Sequence, residues 1–240
     1  MVAESTHPNQ EVESSAVEPR EPETEKGRLA REQYLSAARA VLGDAKLSYA
    51  NLFERYLGNA SETQQAAQSL DQAIARAALM ASNTPRMVIQ LLAQGPFTQR
   101  QTYNLSPEEK QAALPKLLQY AQATVEGVQQ QRFVDYANVV TGKVWNYPDL
   151  YRAHIGSDLA AIQLDQKVAA AALQAGESAE SVAALLQQGP YGRFQRDVKQ
   201  VKSGMIEQYA RGTVAQVQEI QALRPVGVEK LQKRSQDMER

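Results

Sequence analysis

Apolar residues recur along this chain at three- and four-residue spacings, in segments divided by short stretches rich in Gly, Pro, Ser and Asn. Leu70, Ile74, Ala77, Ala78 and Ala81 keep one such face, which is the period of an amphipathic helix. Ser61-x-x-Gln64 is a capping-box pattern that opens this helix, predicted to run to about Ala81. Thr84-Pro85 places a cap before a proline at the first helical position and predicts a second helix to Gln94. Gly95-Pro96 reads as a left-handed stop followed by a residue that cannot continue a helix. Ser106-Pro107-Glu108-Glu109 is another capping box, opening a long segment toward Val140 that Pro115 kinks or divides. Further on, Asp158, Ser178 and Gly189-Pro190 take the corresponding places.

Two segments carry a narrower seam. Ile206, Ala210, Thr213, Val217 and Ile220 alternate at spacings of four and three, as do Leu114, Leu118 (or Leu117), Ala121, Val125 and Val128. A 3.5-residue repeat packs a helix lengthwise along a partner. That partner is the same module, the other module or a second chain, so a homodimer is left open.

The strongest pattern is an internal repeat. At an offset of 94, Leu70-Asp71-Gln72 pairs with Leu164-Asp165-Gln166, and Gln94-Gly95-Pro96-Phe97 with Gln188-Gly189-Pro190-Tyr191. Over 70–101 against 164–195, 15 of 32 positions are identical without a gap. Small gaps extend the match over 34–132 and 133–223, pairing Tyr49 with Tyr147 and Tyr120 with Tyr209. The predicted fold is all-α: a disordered acidic arm (1–27), two related multi-helix modules (28–132 and 133–224) and a C-terminal tail of frayed helix or coil (225–240).

Composition supports this picture. The chain has 240 residues, 36 of them Ala and 29 Gln, both good helix formers. Residues 1–26 hold seven Glu against Arg20 and Lys26, too polar to offset the entropy of ordering. The longest wholly apolar run, 168–173, has six residues against the roughly 20 that span a bilayer. No apolar leader opens the chain, and there is no cysteine for a disulfide or thiolate site. These features predict a cytoplasmic location and no membrane association.

Candidate chemistry is sparse. His7 lies in the arm and His154 stands alone, so no metal or other cofactor is implied. Gly142-Lys143 lacks the upstream glycine of a phosphate loop, and no GxSxG occurs. Asp71 and Asp165 recur at equivalent places, where each is expected to bond an adjoining helix start near Pro85 or Ser178. Gly95, Pro96, Phe97 and Gly189, Pro190, Tyr191 read as structural corners, the aromatics as core anchors beside Tyr120 and Tyr209. Arg193, Arg196, Lys199 and Lys202 recur every third residue, with Arg211 nearby. On a helix they form one basic stripe, either a solvated face or a contact for a few phosphates.

The Leu-Leu-x-Gln-Gly-Pro-aromatic segments and the Tyr-Ala helices that follow resemble helical accessory segments of bacterial, particularly cyanobacterial, plasmid mobilisation proteins found with relaxases. The resemblance covers about 190 residues in two copies. It implies an accessory or interaction module, because the histidine cluster of a relaxase nuclease has no counterpart here. The leading expectation is a non-enzymatic helical scaffold acting through protein partners. The alternative is a nucleic-acid-associated accessory protein using the basic stripe, and a third reading places an enzyme site between the modules.

Overall fold

The computed structural model describes residues 25–56, 61–81 and 83–238, with side chains for all of these except Lys26 and 224–238. The predicted acidic arm lies outside the described residues up to residue 24, as does His7; residues 25–27 open the first helix. Among the described residues there are eleven helices and no strand. In chain order they are α1 (Glu25–Leu42), α2 (Tyr49–Tyr56), α3 (Ser61–Met80), α4 (Pro85–Leu92), α5 (Pro96–Thr102), α6 (Pro107–Thr141), α7 (Tyr147–His154), α8 (Asp158–Gln174), α9 (Ala179–Leu186), α10 (Pro190–Asp197) and α11 (Ser203–Met238).

Local chemistry starts these helices where the sequence predicts. Thr84 accepts a hydrogen bond from the Met87 amide at 3.3 Å, and Pro85 follows it at the first helical position. Ser106 forms a full capping box, accepting from the Glu109 amide at 3.3 Å while its own amide donates to Glu109 Oε2 at 2.8 Å. Those bonds hold the exposed Glu109 carboxylate below its usual range. Ser178 caps α9 through the Ser181 amide, and Ser157, one residue before the predicted Asp158, caps α8.

Two predicted features differ. Gly95 and Gly189 are not left-handed stops. With φ of −70° and −64° they are extended N-caps, and Pro96 and Pro190 begin the short helices α5 and α10. Proline at that position both ends one helix and starts the next. The left-handed turns fall instead at Gly43, Gly142 and Gly176, with φ of +67°, +65° and +87°; Gly142 caps α6 and donates to Asn138 O. At the C-terminus α11 continues past Pro225 to Met238, where a frayed helix or coil is predicted.

Helix α6 runs unbroken for 35 residues and does not stop at Pro115. Its Ala121, Val125 and Val128 enter a cluster with Tyr34, Leu52, Ile74 and Leu92. Farther along, its Phe133, Val134 and Ala137 enter a second cluster with Leu150, Val168, Leu186 and Val214. The predicted boundary at 132/133 therefore lies inside one helix rather than in a linker. The seams are buried only in part: Leu117 is covered while Leu114 and Leu118 are exposed, and Ile206 through Val217 are covered while Ile220 is exposed.

Gly127 lies within α6, where an added Cβ meets nothing within 4 Å. Replacing Gly127 with Ala is expected to raise stability by about 0.5–1 kcal/mol, since only the helix-propensity penalty is removed. Urea unfolding of the two proteins checks this.

Candidate functional site

In each half a carboxylate sits at the centre of the packing. Asp71 of α3 is fully buried and receives a hydroxyl on each oxygen, from Tyr34 at 2.6 Å and from Tyr120 at 2.8 Å. Asp165 of α8 is also fully buried, with Tyr209 donating to Oδ2 at 2.8 Å while Oδ1 has no partner. Burial pushes the Asp71 carboxyl up to about 6, against the two hydroxyls that pull it down. It pushes Asp165 up to about 8, with Tyr209 alone opposing. Burial and the neighbouring carboxylates drive the Tyr34, Tyr120 and Tyr209 hydroxyls far above their usual range, so they remain donors.

These partners correct the expected bonds to helix starts at Pro85 and Ser178. The carboxylates instead face the Gly-Pro corners and are bonded by phenols. A Cβ on Gly95 would lie 2.6 Å from Asp71 Oδ1 and 3.0 Å from the Tyr34 ring. A Cβ on Gly189 would lie 2.7 Å from Asp165 Oδ1 and 2.6 Å from the Phe133 ring. Close approach to a buried carboxylate, not dihedral freedom, explains glycine at both corners. Tyr49 and Tyr147 hydroxyls donate to Gln94 O and Gln188 O, each at 2.6 Å. Phe97 packs on Tyr120 with centroids 4.2 Å apart, and Tyr191 on Tyr209 at 4.4 Å.

The structure adds a second polar centre where the halves meet. Arg132 of α6 and Glu177, both nearly fully buried, form an ion pair. Tyr136 donates to the other Glu177 oxygen at 2.7 Å, and burial together with that bond pushes its hydroxyl up to about 12. Arg132 also donates to Ser181 Oγ at 3.1 Å, and the Ser181 hydroxyl lies within bonding distance of two acceptors, Glu177 Oε2 at 2.9 Å and, across the junction, Leu79 O at 3.2 Å. Arg132 Nη1 and Gln129 Nε2 are buried without a partner. None of these residues stood out in the sequence, although a signal was present: Arg132 continues the Ala121, Val125, Val128 seam by one further step.

Beside this network lies a groove of about 520 Å³ between the start of α4, α9 and α11. Leu79, Pro85, Ala183, Ala184, Val214 and Ala215 line it, with Arg86 and the Arg211–Glu207 pair among its polar contributors. A smaller cleft of about 180 Å³ adjoins it through the shared Pro85, Ala184 and Gln187, and is lined by Gln129.

The predicted basic stripe does not occupy one helix. α10 ends at Asp197, and the chain turns through Gln200, whose φ is +53°, before α11 begins. Arg193 and Arg196 both pair with Asp197, at 2.8 and 3.0 Å. Lys199 pairs with Asp158 at 3.1 Å and lies 5.1 Å over the Phe194 ring. Lys202 stands just before α11 and Arg211 within it, 2.9 Å from Glu207. His154 ends α7, its Nδ1 2.8 Å from Leu150 O. Among the described residues no three His, Asp or Glu side chains converge as a metal-holding group, and no helix is long and apolar enough to cross a membrane.

No family model, curated protein or solved structure matches the chain.

Three substitutions test the packing at the corners and the buried ion pair. Gly95→Ala and Gly189→Ala should each cost about 1–3 kcal/mol by overpacking, although alanine fits the dihedrals at both positions. Glu177→Ala, which leaves Arg132 buried without its counter-charge, should cost about 3–5 kcal/mol. Denaturant unfolding measures all three; an alanine tolerated at either corner would show that the carboxylate can retreat.

Proposed function

We propose that the chain is a non-enzymatic helical scaffold made of two copies of one module, and that it holds a protein partner in the groove between them. The groove carries this reading. The apolar part of its lining, Leu79, Pro85, Ala183, Ala184, Val214 and Ala215, is mostly small side chains, of the kind that admits a helix or an extended segment closely. Exposed charges such as Arg86 and Glu180 are available for orientation. Two further observations support the scaffold. The buried carboxyls are engaged in packing: Asp71 and Asp165 by tyrosines, Glu177 by Arg132. The module reading is supported by contacts that recur at aligned residues, namely the Tyr–Asp bonds, the Tyr–Gln carbonyl bonds, the corner glycines and the aromatic pairs.

The test fills the groove. Ala215 is exposed and Ala184 half-buried, so tryptophan at either site occupies the space without removing a core side chain. Proteins captured from the native host by the parent should be lost from Ala184→Trp and Ala215→Trp. They should be kept by Lys167→Trp, an exposed change on α8 away from the groove lining. Recovery of the same proteins with all three variants would place the partner elsewhere.

A further inference from the structure

The two buried carboxylates differ by one hydroxyl. Tyr34 crowds Gly95 and donates to Asp71 Oδ1; Phe133 crowds Gly189 in the same way and has nothing to donate to Asp165 Oδ1. The phenylalanine ring and the glycine backbone close around that oxygen, with a Cβ at Gly189 already 2.7 Å from it. An ionised carboxylate here would keep charge on an oxygen that has neither water nor a bond, and protonation removes that charge.

We propose that Asp165 is a proton-dependent latch on the Gly189 corner: the second half closes with this carboxyl protonated, and α10 lifts from α8 as the carboxyl ionises. The corner is the element that yields. α10 has eight residues and no side-chain cap at Gly189, whereas α6 and α11 are 35 and 36 residues long. The first half has no such latch above neutrality, because Tyr34 supplies the second hydroxyl.

The other groups around α8 leave this carboxyl to the phenol alone. α11 brings Tyr209 to it, with Tyr191 of α10 against that ring. α6 brings the uncharged Phe133, its Arg132 being closed on Glu177. On α10, Arg193 and Arg196 are tied to Asp197, and Lys199 beyond it to Asp158 at the start of α8. α7 brings Tyr147, bonded to Gln188 O, His154 at Leu150 O, and an Asp149–Arg152 pair. Glu180 of α9 and Lys167 of α8 itself are exposed.

The sign follows from proton release. The closed carboxyl titrates near 8, while one reached by water titrates near about 4. The open state therefore binds fewer protons across this interval, and the closed state loses stability as pH rises, until about 8. The open fraction grows up to about tenfold per pH unit. Asp71, near 6, stops responding at about that pH, so between pH 6.5 and 8 only the second half responds.

Amide hydrogen exchange of the full chain at pH 6.5 and 8, corrected for intrinsic exchange, tests this. Protection of 190–197 should fall about 15-fold, since tenfold per unit would give roughly 30-fold over that interval and half-ionisation of the closed carboxyl at pH 8 halves it, while protection of 96–102 stays constant. Asp165→Asn should abolish the fall, and Phe133→Tyr should reduce it to the behaviour of the first corner. Constant protection of 190–197 in the parent would overturn the latch. So would an undiminished fall in Asp165→Asn, or in Phe133→Tyr. The comparison of the two corners in the parent decides the matter even if neither variant folds.

Discussion

Taking an aspartate out of water dictates what must surround it, and both halves of this chain are arranged around that requirement. A buried carboxyl needs hydroxyls that remain protonated, so tyrosines converge on it from helices distant in sequence. It also needs room, so the chain passes it with glycine and turns at once through proline. The aromatic after the proline then lies on the tyrosine that bonds the carboxylate. One carboxyl group thus ties together α1, α3, α6 and the start of α5 in the first half, and α8, α11 and the start of α10 in the second. Apolar burial supplies the bulk of the stabilisation, but it is not directional; the aspartate specifies which helix ends meet.

The junction uses the opposite device. There a full ion pair is buried, Arg132 with Glu177, tied on one side to Tyr136 and on the other to Ser181 and Leu79. Such a pair contributes little net stability over a well-packed apolar substitute, but it strongly penalises arrangements that separate its members. Its place between the two apolar clusters of α6 suits a contact that aligns the halves rather than one that drives their burial.

The helical architecture was legible because its signals are local. Caps at Thr84, Ser106 and Ser178 act within three residues, so spacing alone reveals them. The Gly-Pro corners were located correctly but explained wrongly. A left-handed glycine and a glycine without room for Cβ are indistinguishable in sequence, and only the buried Asp71 and Asp165 beside them decide between the two. The basic residues do not share one helix for a related reason. Their three-residue spacing has meaning only on a continuous helix, and the chain leaves the helical path between Asp197 and Ser203. The recurrence of Asp71 and Asp165 is legible in the repeat, yet their bonding partners are not, because Tyr34 and Tyr120 lie 37 and 49 residues from Asp71 in sequence. The groove was invisible for the same reason, since its walls come from helices far apart along the chain.

Helix α6 serves both halves without a linker, and this makes it a shaft as well as a wall. In a helix each residue advances the axis by about 1.5 Å and turns it by about 100°. Length and angle between the two cores are therefore locked to a single count, the residues from Val128 to Phe133. A loop would absorb an insertion by bulging; a shaft converts it into rotation. One residue added there would swing the second core round by more than a right angle and carry Ser181 away from Leu79 O. An addition of about seven, nearly two whole turns, would restore the facing and lengthen the molecule by about 10 Å. Spacing in this segment thus acts as a phase setting, changed safely only in whole turns.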